Sequence, residues 1–219
     1  TSQFQYFPAI PALASPANGA NSLVGPVVLS WNPVANIARY KVTILRADNG
    51  AAESATTDAQ SYVPQNLDPA DGPFKWYVQT VDSSGRIGLL PNSGQWRTFN
   101  FSAPAPTGST PDAITPDGTH ADHVPTLTWE PVTGATNYTI FTSTPGSPVA
   151  NPFKTNLKVT GYTETGDAVD RLSTGTFDWY VEAYDDADTL LGVGTPGSFT
   201  LDQMAPTVLT GPAHCPPNT

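Results

Sequence analysis

The chain has 219 residues, a net charge of −10, 23 prolines, 18 glycines and only 13% charged side chains. An acidic surface repels phosphate backbones, which argues against nucleic acid as a partner. There is no apolar run of 18 residues to span a membrane, no basic-then-apolar leader at Thr1, and with Cys215 as the single cysteine no internal disulfide. The charge is uneven: residues 1–101 carry six basic and six acidic side chains, residues 102–219 three and thirteen. The plain reading of the acidic half is a solvated surface; the alternative is a surface for a cation or a basic partner.

No stretch repeats apolar residues at helical spacing, so almost no helix is expected. Many Thr and Val suit half-buried strands, and many Pro and Gly suit the turns between them. In chain order, residues 1–10 form an extension with three aromatics, Phe4, Tyr6 and Phe7, expected to pack on the first domain or to pair with a neighbouring chain. Val28-Leu29-Ser30-Trp31-Asn32-Pro33-Val34 then gives a short strand and a turn, and nine residues after Trp31 the alternating run Tyr40-Lys41-Val42-Thr43-Ile44 begins. Phe74-Lys75-Trp76-Tyr77-Val78-Gln79-Thr80 alternates again, and Trp96-Arg97-Thr98-Phe99 closes the unit. Period-2 alternation puts Leu29, Trp31, Tyr40, Val42, Phe74, Trp76, Val78 and Phe99 in one core, with Lys75, Tyr77 and Gln79 outward.

The same series then returns. Thr126-Leu127-Thr128-Trp129-Glu130-Pro131-Val132 matches the first motif, Tyr138 opens the next run, Phe177-Asp178-Trp179-Tyr180-Val181-Glu182 matches the long strand, and Ser198-Phe199-Thr200-Leu201 closes it. The offsets are 98, 98, 103 and 100 residues for Trp31, Tyr40, Trp76 and Phe99, which marks a duplicated domain rather than a solenoid of short repeats. Leu127, Trp129, Tyr138, Ile140, Phe177, Trp179, Val181 and Phe199 form the second expected core. The expected fold is all-β, two tandem seven-stranded antiparallel β-sandwiches. The divisions are an extension at 1–10, domains at 11–101 and 102–201, and a tail at 202–219. A Pro-rich joint, Ser102 to Gly108, links the domains and limits bending. Residues 110–123 read as an irregular first strand and a loop. The tail segment Ala205–Pro212 resembles the opening strand of a further copy, so a further repeat is expected.

The pattern Leu-x-Trp-x-Pro-Val, Tyr-x-Val-x-Ile and Gly-x-Phe-x-Trp-x-Val resembles fibronectin type III domains of bacterial surface proteins and secreted hydrolases, over about 90 residues in each copy. The resemblance implies an extracellular or cell-surface location and a non-catalytic role. One position departs from it. Such domains usually place a tyrosine where Phe74 and Phe177 stand, and its hydroxyl bonds the chain upstream. Here the corner is held by packing alone, or Tyr77 and Tyr180 take another role.

Candidate chemistry is thin. Asp185, Asp186 and Asp188 lie at the last hairpin of the second copy, where calcium could find oxygen ligands, but the spacing is not that of an EF-hand and the plain reading is a solvated turn. His120, Asp122 and His123 could approach one zinc ion; a short polar cluster in a loop is the plainer reading. No nucleophile elbow, phosphate loop or dinucleotide fingerprint occurs. Arg46-Ala47-Asp48 is not the integrin tripeptide, and the sequons at Asn100 and Asn137 fall in expected strands. Lys41 and Lys75 alternate outward, away from any intramolecular amide cross-link. Tyr77, Trp96 and Tyr180 are the candidate binding surface, since outward aromatics can stack on sugars or anchor a protein; the alternative is that they cover their own sheet. The expected function is that of a spacer or adhesion module in a larger protein, with a protein, a cell-surface glycan or copies of itself as partner. The alternatives are an accessory module of a polysaccharide-degrading enzyme and a subunit of a surface layer, sheath or filament.

Overall fold

A computed structural model of the chain describes residues 9–37, 39–102, 105–106, 108–116, 119–121, 125–147, 150–165, 172 and 174–202, with side chains undescribed at 22 and 119–121. The aromatic extension, the side chains of His120, Asp122 and His123, and the tail with Cys215 and the expected further repeat lie outside the described residues.

The first unit has eight strands: β1 (Leu13–Ser15), β2 (Ala20–Val24), β3 (Leu29–Trp31), β4 (Arg39–Leu45), β5 (Ala51–Thr57), β6 (Ser61–Tyr62), β7 (Phe74–Val81) and β8 (Arg97–Ser102). They form two sheets, β1-β3-β6 and β2-β8-β7-β4-β5. Among the described residues the second unit has nine: β9 (Ala113–Thr115), β10 (Thr119–Ala121), β11 (Leu127–Trp129), β12 (Asn137–Ser143), β13 (Asn151–Leu157), β14 (Gly161–Tyr162), β15 (Gly175–Tyr184), β16 (Leu190–Val193) and β17 (Gly197–Leu201). Its sheets are β9-β11-β14 and β10-β17-β15-β12-β13, with β16 on β15. The helical content among the described residues is two three-residue 3-10 turns, Pro69–Asp71 and Ser93–Gln95.

Two details differ from the expectation of seven antiparallel strands. The opening segment of each unit splits around a proline, Pro16 or Pro116, because proline donates no ladder hydrogen bond and the chain crosses there to the other sheet. The second piece of each split strand then runs parallel to the last strand, β2 with β8 and β10 with β17, so neither sandwich is purely antiparallel. Residues 110–123, read as one irregular strand and a loop, hold both β9 and β10.

Each sandwich has its own core. Leu29, Trp31, Tyr40, Val42, Phe74, Trp76, Val78 and Phe99 are buried in one; Leu127, Trp129, Tyr138, Ile140, Phe177, Trp179, Val181 and Phe199 are buried in the other. The alternation on β4 and β7 is the cause, since every second side chain faces the opposite sheet. Trp31 meets Tyr40 edge-on at 5.5 Å, and Trp129 meets Tyr138 in the same way at 5.7 Å. Both tyrosines reach past the tryptophan to the turn that follows it. The Tyr40 hydroxyl accepts from the Val34 amide at 2.9 Å, and the Tyr138 hydroxyl accepts from the Val132 amide at 3.1 Å. A tyrosine hydroxyl thus does pin a backbone turn in each copy, between the first and second core motifs rather than at the usual corner. The corner itself is packed: Phe74 stacks on Phe99 at 5.5 Å, and Phe177 lies 5.7 Å from Phe199.

Candidate functional site

The outward aromatics are paired. Tyr77 stacks on Trp96 with ring centres 5.0 Å apart, and Tyr180 stacks on Phe141, its direct cross-strand neighbour, at 5.1 Å and 6°. Trp96 was expected on the last strand; it instead ends the 3-10 turn before β8, where its indole nitrogen donates to the Pro91 carbonyl at 2.9 Å. All four rings are half-buried. Each pair spends one π-face on its partner, so the rings first cover the sheet and leave a single face for anything else.

The acidic turn is closed on itself. The Asp185 carboxylate accepts from the amides of Ala187 and Thr189 at 2.9 and 2.8 Å, and Asp188 sits at φ +58° to complete the turn. Asp82, its counterpart in the first copy, accepts from Ser84 and Arg86 in the same way. The backbone bond from Thr189 is the main reason that the Asp185 carboxyl titrates below its ordinary value, and the bond from Arg86 does the same for Asp82. Asp186 is exposed, and among the described residues no three His, Cys, Asp or Glu side chains gather as metal ligands would. Tyr184 is pushed up to about 12 by its hydrogen bond to Glu182. Arg46 and Asp48 are both engaged locally, Arg46 with Asp71 at 2.7 Å and Asp48 with the Gly50 amide at 2.8 Å.

A largely part-buried polar arrangement outside the cores lies between the two sandwiches, around β6, β14 and the residues next to them. The Thr57 hydroxyl donates to the Glu164 carbonyl at 2.8 Å, and Ser61 shares a 2.6 Å bond with Thr126, which is 2.8 Å from Thr163. The Val63 amide donates to the Thr163 hydroxyl at 3.1 Å, and the Gln65 side chain donates to the Gly161 carbonyl at 3.1 Å. Val63 is 1% exposed yet belongs to neither core; it lies against Gly161 and Thr163 across the seam. A Cβ on Gly161 would lie 3.1 Å from Val63 and 3.3 Å from Pro26, so the absence of a side chain there lets the domains touch. Beside the seam is an apolar cavity of about 340 Å³, walled by Pro26, Val27 and Phe101 from one domain and by Pro131, Ala135 and Val159 from the other. Sequence reasoning missed all of these seam residues. Apart from Thr57 at the end of β5 and Phe101 in β8, they sit in two-residue strands and loops, where neither period applies, and their one signal is a local break in the repeat: Ser61 and Val63 stand where the second copy has Gly161 and Thr163.

Besides Val24 and Ile114, the large exposed hydrophobics among the described residues lie at one kind of place. Ile87, Leu89 and Leu90 follow β7, and Leu190, Leu191 and Val193 follow β15, so the equivalent hairpin is apolar in both copies.

Three-stranded and larger sheets facing each other, the split opening strand and the tyrosine-pinned turn define the architecture. Both domains have the fibronectin type III and immunoglobulin-like fold. No family model matches the sequence, and no curated protein matches it. Among solved structures it is similar to a two-domain fibronectin type III segment of chicken tenascin, at 15% identity over 88% of this chain and 97% of that one, with a TM-score of 0.28. It is also similar to an Fn3-like protein from Clostridium thermocellum (21% identity, 43% and 97% coverage, TM-score 0.30). A third is the FN1-FN3 region of chicken CNTN1 (14% identity, 90% and 67% coverage, TM-score 0.32). No helix among the described residues is long and apolar enough to cross a membrane.

Proposed function

We propose that this segment is a non-catalytic interaction or structural module of a larger extracellular or cell-surface protein. One observation carries the reading: the carboxylates that the fold holds at its turns and strand ends accept from the chain's own backbone amides. Asp82 and Asp185 close turns, Asp112 accepts from the Thr195 amide at 2.8 Å, and Glu53 accepts from the Gln65 and Asn66 amides at 3.0 Å. Carboxylates held in this way close turns of the fold, whereas catalysis needs a group within hydrogen-bond reach of substrate. The test is a panel of glycan, ester and peptide substrates with the full chain, together with retention on insoluble polysaccharide. No turnover is expected. Turnover that disappears with a single substitution at one polar residue would overturn the reading.

The apolar hairpins favour a second reading, self-association. Six large exposed side chains on equivalent hairpins give each molecule two similar patches, and such patches mark contact sites in soluble proteins. Sedimentation at rising concentration should show reversible assembly, weakened by Leu90→Ser together with Leu190→Ser; a monomer at every concentration sinks this second reading.

A further inference from the structure

The hydrogen bonds of the seam fix the direction in which the two sandwiches lie. In the first domain, one pole holds residues 10–13 beside Gly94–Arg97 and the end of β5 at Thr57, which pairs with Tyr40 at the start of β4. The opposite pole holds Phe101, Pro26 and Leu67. In the second domain, by the same topology, one pole holds the Pro131–Ala135 turn and Thr160, and the opposite pole holds Gly175 paired with Leu201. The contacts cross in reverse order. Thr57 meets Glu164, Val63 meets Thr163, Gln65 meets Gly161, and Pro26, Leu67 and Phe101 share the cavity with Pro131, Ala135 and Thr160. The far end of the first domain therefore lies against the near end of the second, and the near end of the first against the far end of the second.

Two further features agree. Val63 and Thr163 are the same position of the repeat, each one residue past the tyrosine that pairs with Leu29 or Leu127. Contact between equivalent positions is the mark of an approximate two-fold axis, as in isologous dimers. The joint is also short: six residues separate Ser102 from Ser109, enough to turn the chain at the cavity but not to let it run the length of a domain.

We infer that the two sandwiches are folded back on each other, antiparallel and side by side, so that residues 10 and 202 leave from one pole and the proline-walled cavity stands at the other. A spacer whose two domains add their lengths end to end does not fit this geometry. A chain continuing at both ends would be lengthened hardly at all; the pair would project from it as a side arm. That consequence rests on the module reading above, while the folded-back geometry is tested separately.

Two distances separate the arrangements. A strand of ten residues spans about 33 Å, so markers at the outer poles of an end-to-end pair lie more than about 60 Å apart, and in the folded-back pair less than about 40 Å. Spin labels at Ser93→Cys and Thr174→Cys, both exposed, with Cys215→Ser to remove the native thiol, should give the short distance by pulsed dipolar spectroscopy. In scattering, a compact body of this length has a radius of gyration of about 17 Å, against about 24 Å for two domains end to end, the tails adding similarly to both. The long distance, with the larger radius, overturns the proposal. A short distance that vanishes on dilution with unlabelled chain overturns it too, because the seam would then join two copies by exchange of domains. Gly161→Leu should push Val63 and Pro26 away and shift the label distance to the long value while both domains keep their near-ultraviolet signatures. If that variant does not fold, Gln65→Ala with Thr163→Ala should broaden the distance distribution. An unchanged distribution in every folded variant overturns the role given to the seam. Substrate turnover with a short label distance would refute the module reading and leave the geometry standing.

Discussion

The two copies solve one local problem in opposite ways. Arg97 and Gly197 occupy the same position, each the cross-strand partner of the core tryptophan, Trp76 or Trp179. In the first domain the Arg97 guanidinium reaches the opening strand and donates to the carbonyls of Leu13, Ala14 and Pro16. The Trp76 indole nitrogen is left buried without a partner. In the second domain there is no side chain at Gly197, and the Trp179 indole donates to the Pro116 carbonyl at 3.1 Å instead. The proline carbonyl is held in both, by a surface arginine in one and by the core in the other. The difference teaches that a duplicated fold conserves the group to be satisfied, not the residue that satisfies it.

The largest expected effect comes from forcing the first solution onto the second domain. A Cβ at Gly197 would lie 2.7 Å from the Trp179 indole nitrogen and 2.9 Å from the Pro116 carbonyl. Gly197→Arg should therefore both overpack the site and displace the indole bond, destabilising the second domain by about 3 kcal/mol. Hydrogen exchange resolved by peptide reads the two domains separately, which matters because a two-domain chain has no single unfolding free energy. Loss of protection confined to 113–201 is the expected result; equal loss in both domains would contradict the local account.

Arg97→Ala is next. It releases three carbonyls from charge-assisted bonds, at a cost of about 2 kcal/mol to the first domain, and the loss should appear first in β1. The tyrosine-pinned turns should then respond alike but not equally. Tyr138→Phe leaves a buried Val132 amide without an acceptor and should cost about 2 kcal/mol, while Tyr40→Phe exposes a half-buried amide to water and should cost about 1 kcal/mol. Equal costs would mean that burial of the amide is not what sets the difference.

The smallest effect is on acid stability. Asp82, Asp112 and Asp185 all titrate below the ordinary carboxyl value of 3.8, chiefly because backbone amides of Arg86, Thr195 and Thr189 respectively bond the charged form. A depressed folded value contributes stability that is present above the unfolded value and is lost as pH falls through the folded one. Between pH 5 and 2 the second domain, with two such groups, should lose protection before the first, with one. Asp185→Asn should narrow the gap, and a first domain that fails earlier would break the comparison.

The cores were legible because burial and alternation are the same fact. Trp76 and Trp179 announce the inward face of a strand, and every second neighbour follows without knowledge of the partner sheet. The parallel pairing of β2 and β10 was not legible, since a proline shows that a ladder stops and not where the next one forms. The candidate surface was read in part. Tyr77 and Tyr180 do point outward, but that Trp96 and Phe141 stack on them depends on registers that a strand cannot specify alone. Asp185 reads by composition as a solvated turn with calcium as the alternative; that its carboxylate closes on the Ala187 and Thr189 amides is visible only in the folded turn.

By itself, then, the sequence determined the duplication, the all-β class and the inward faces, because each is written in local spacing repeated about 100 residues apart. Only the tertiary structure decided how the copies lie against each other. The seam is made by Thr57, Val63, Gln65, Gly161 and Thr163, residues with no periodic pattern, joined by backbone groups that every sequence possesses. Small side chains and unbranched backbone contacts carry no signature until two surfaces are brought within hydrogen-bond distance, and only then does a glycine become the point at which two domains meet.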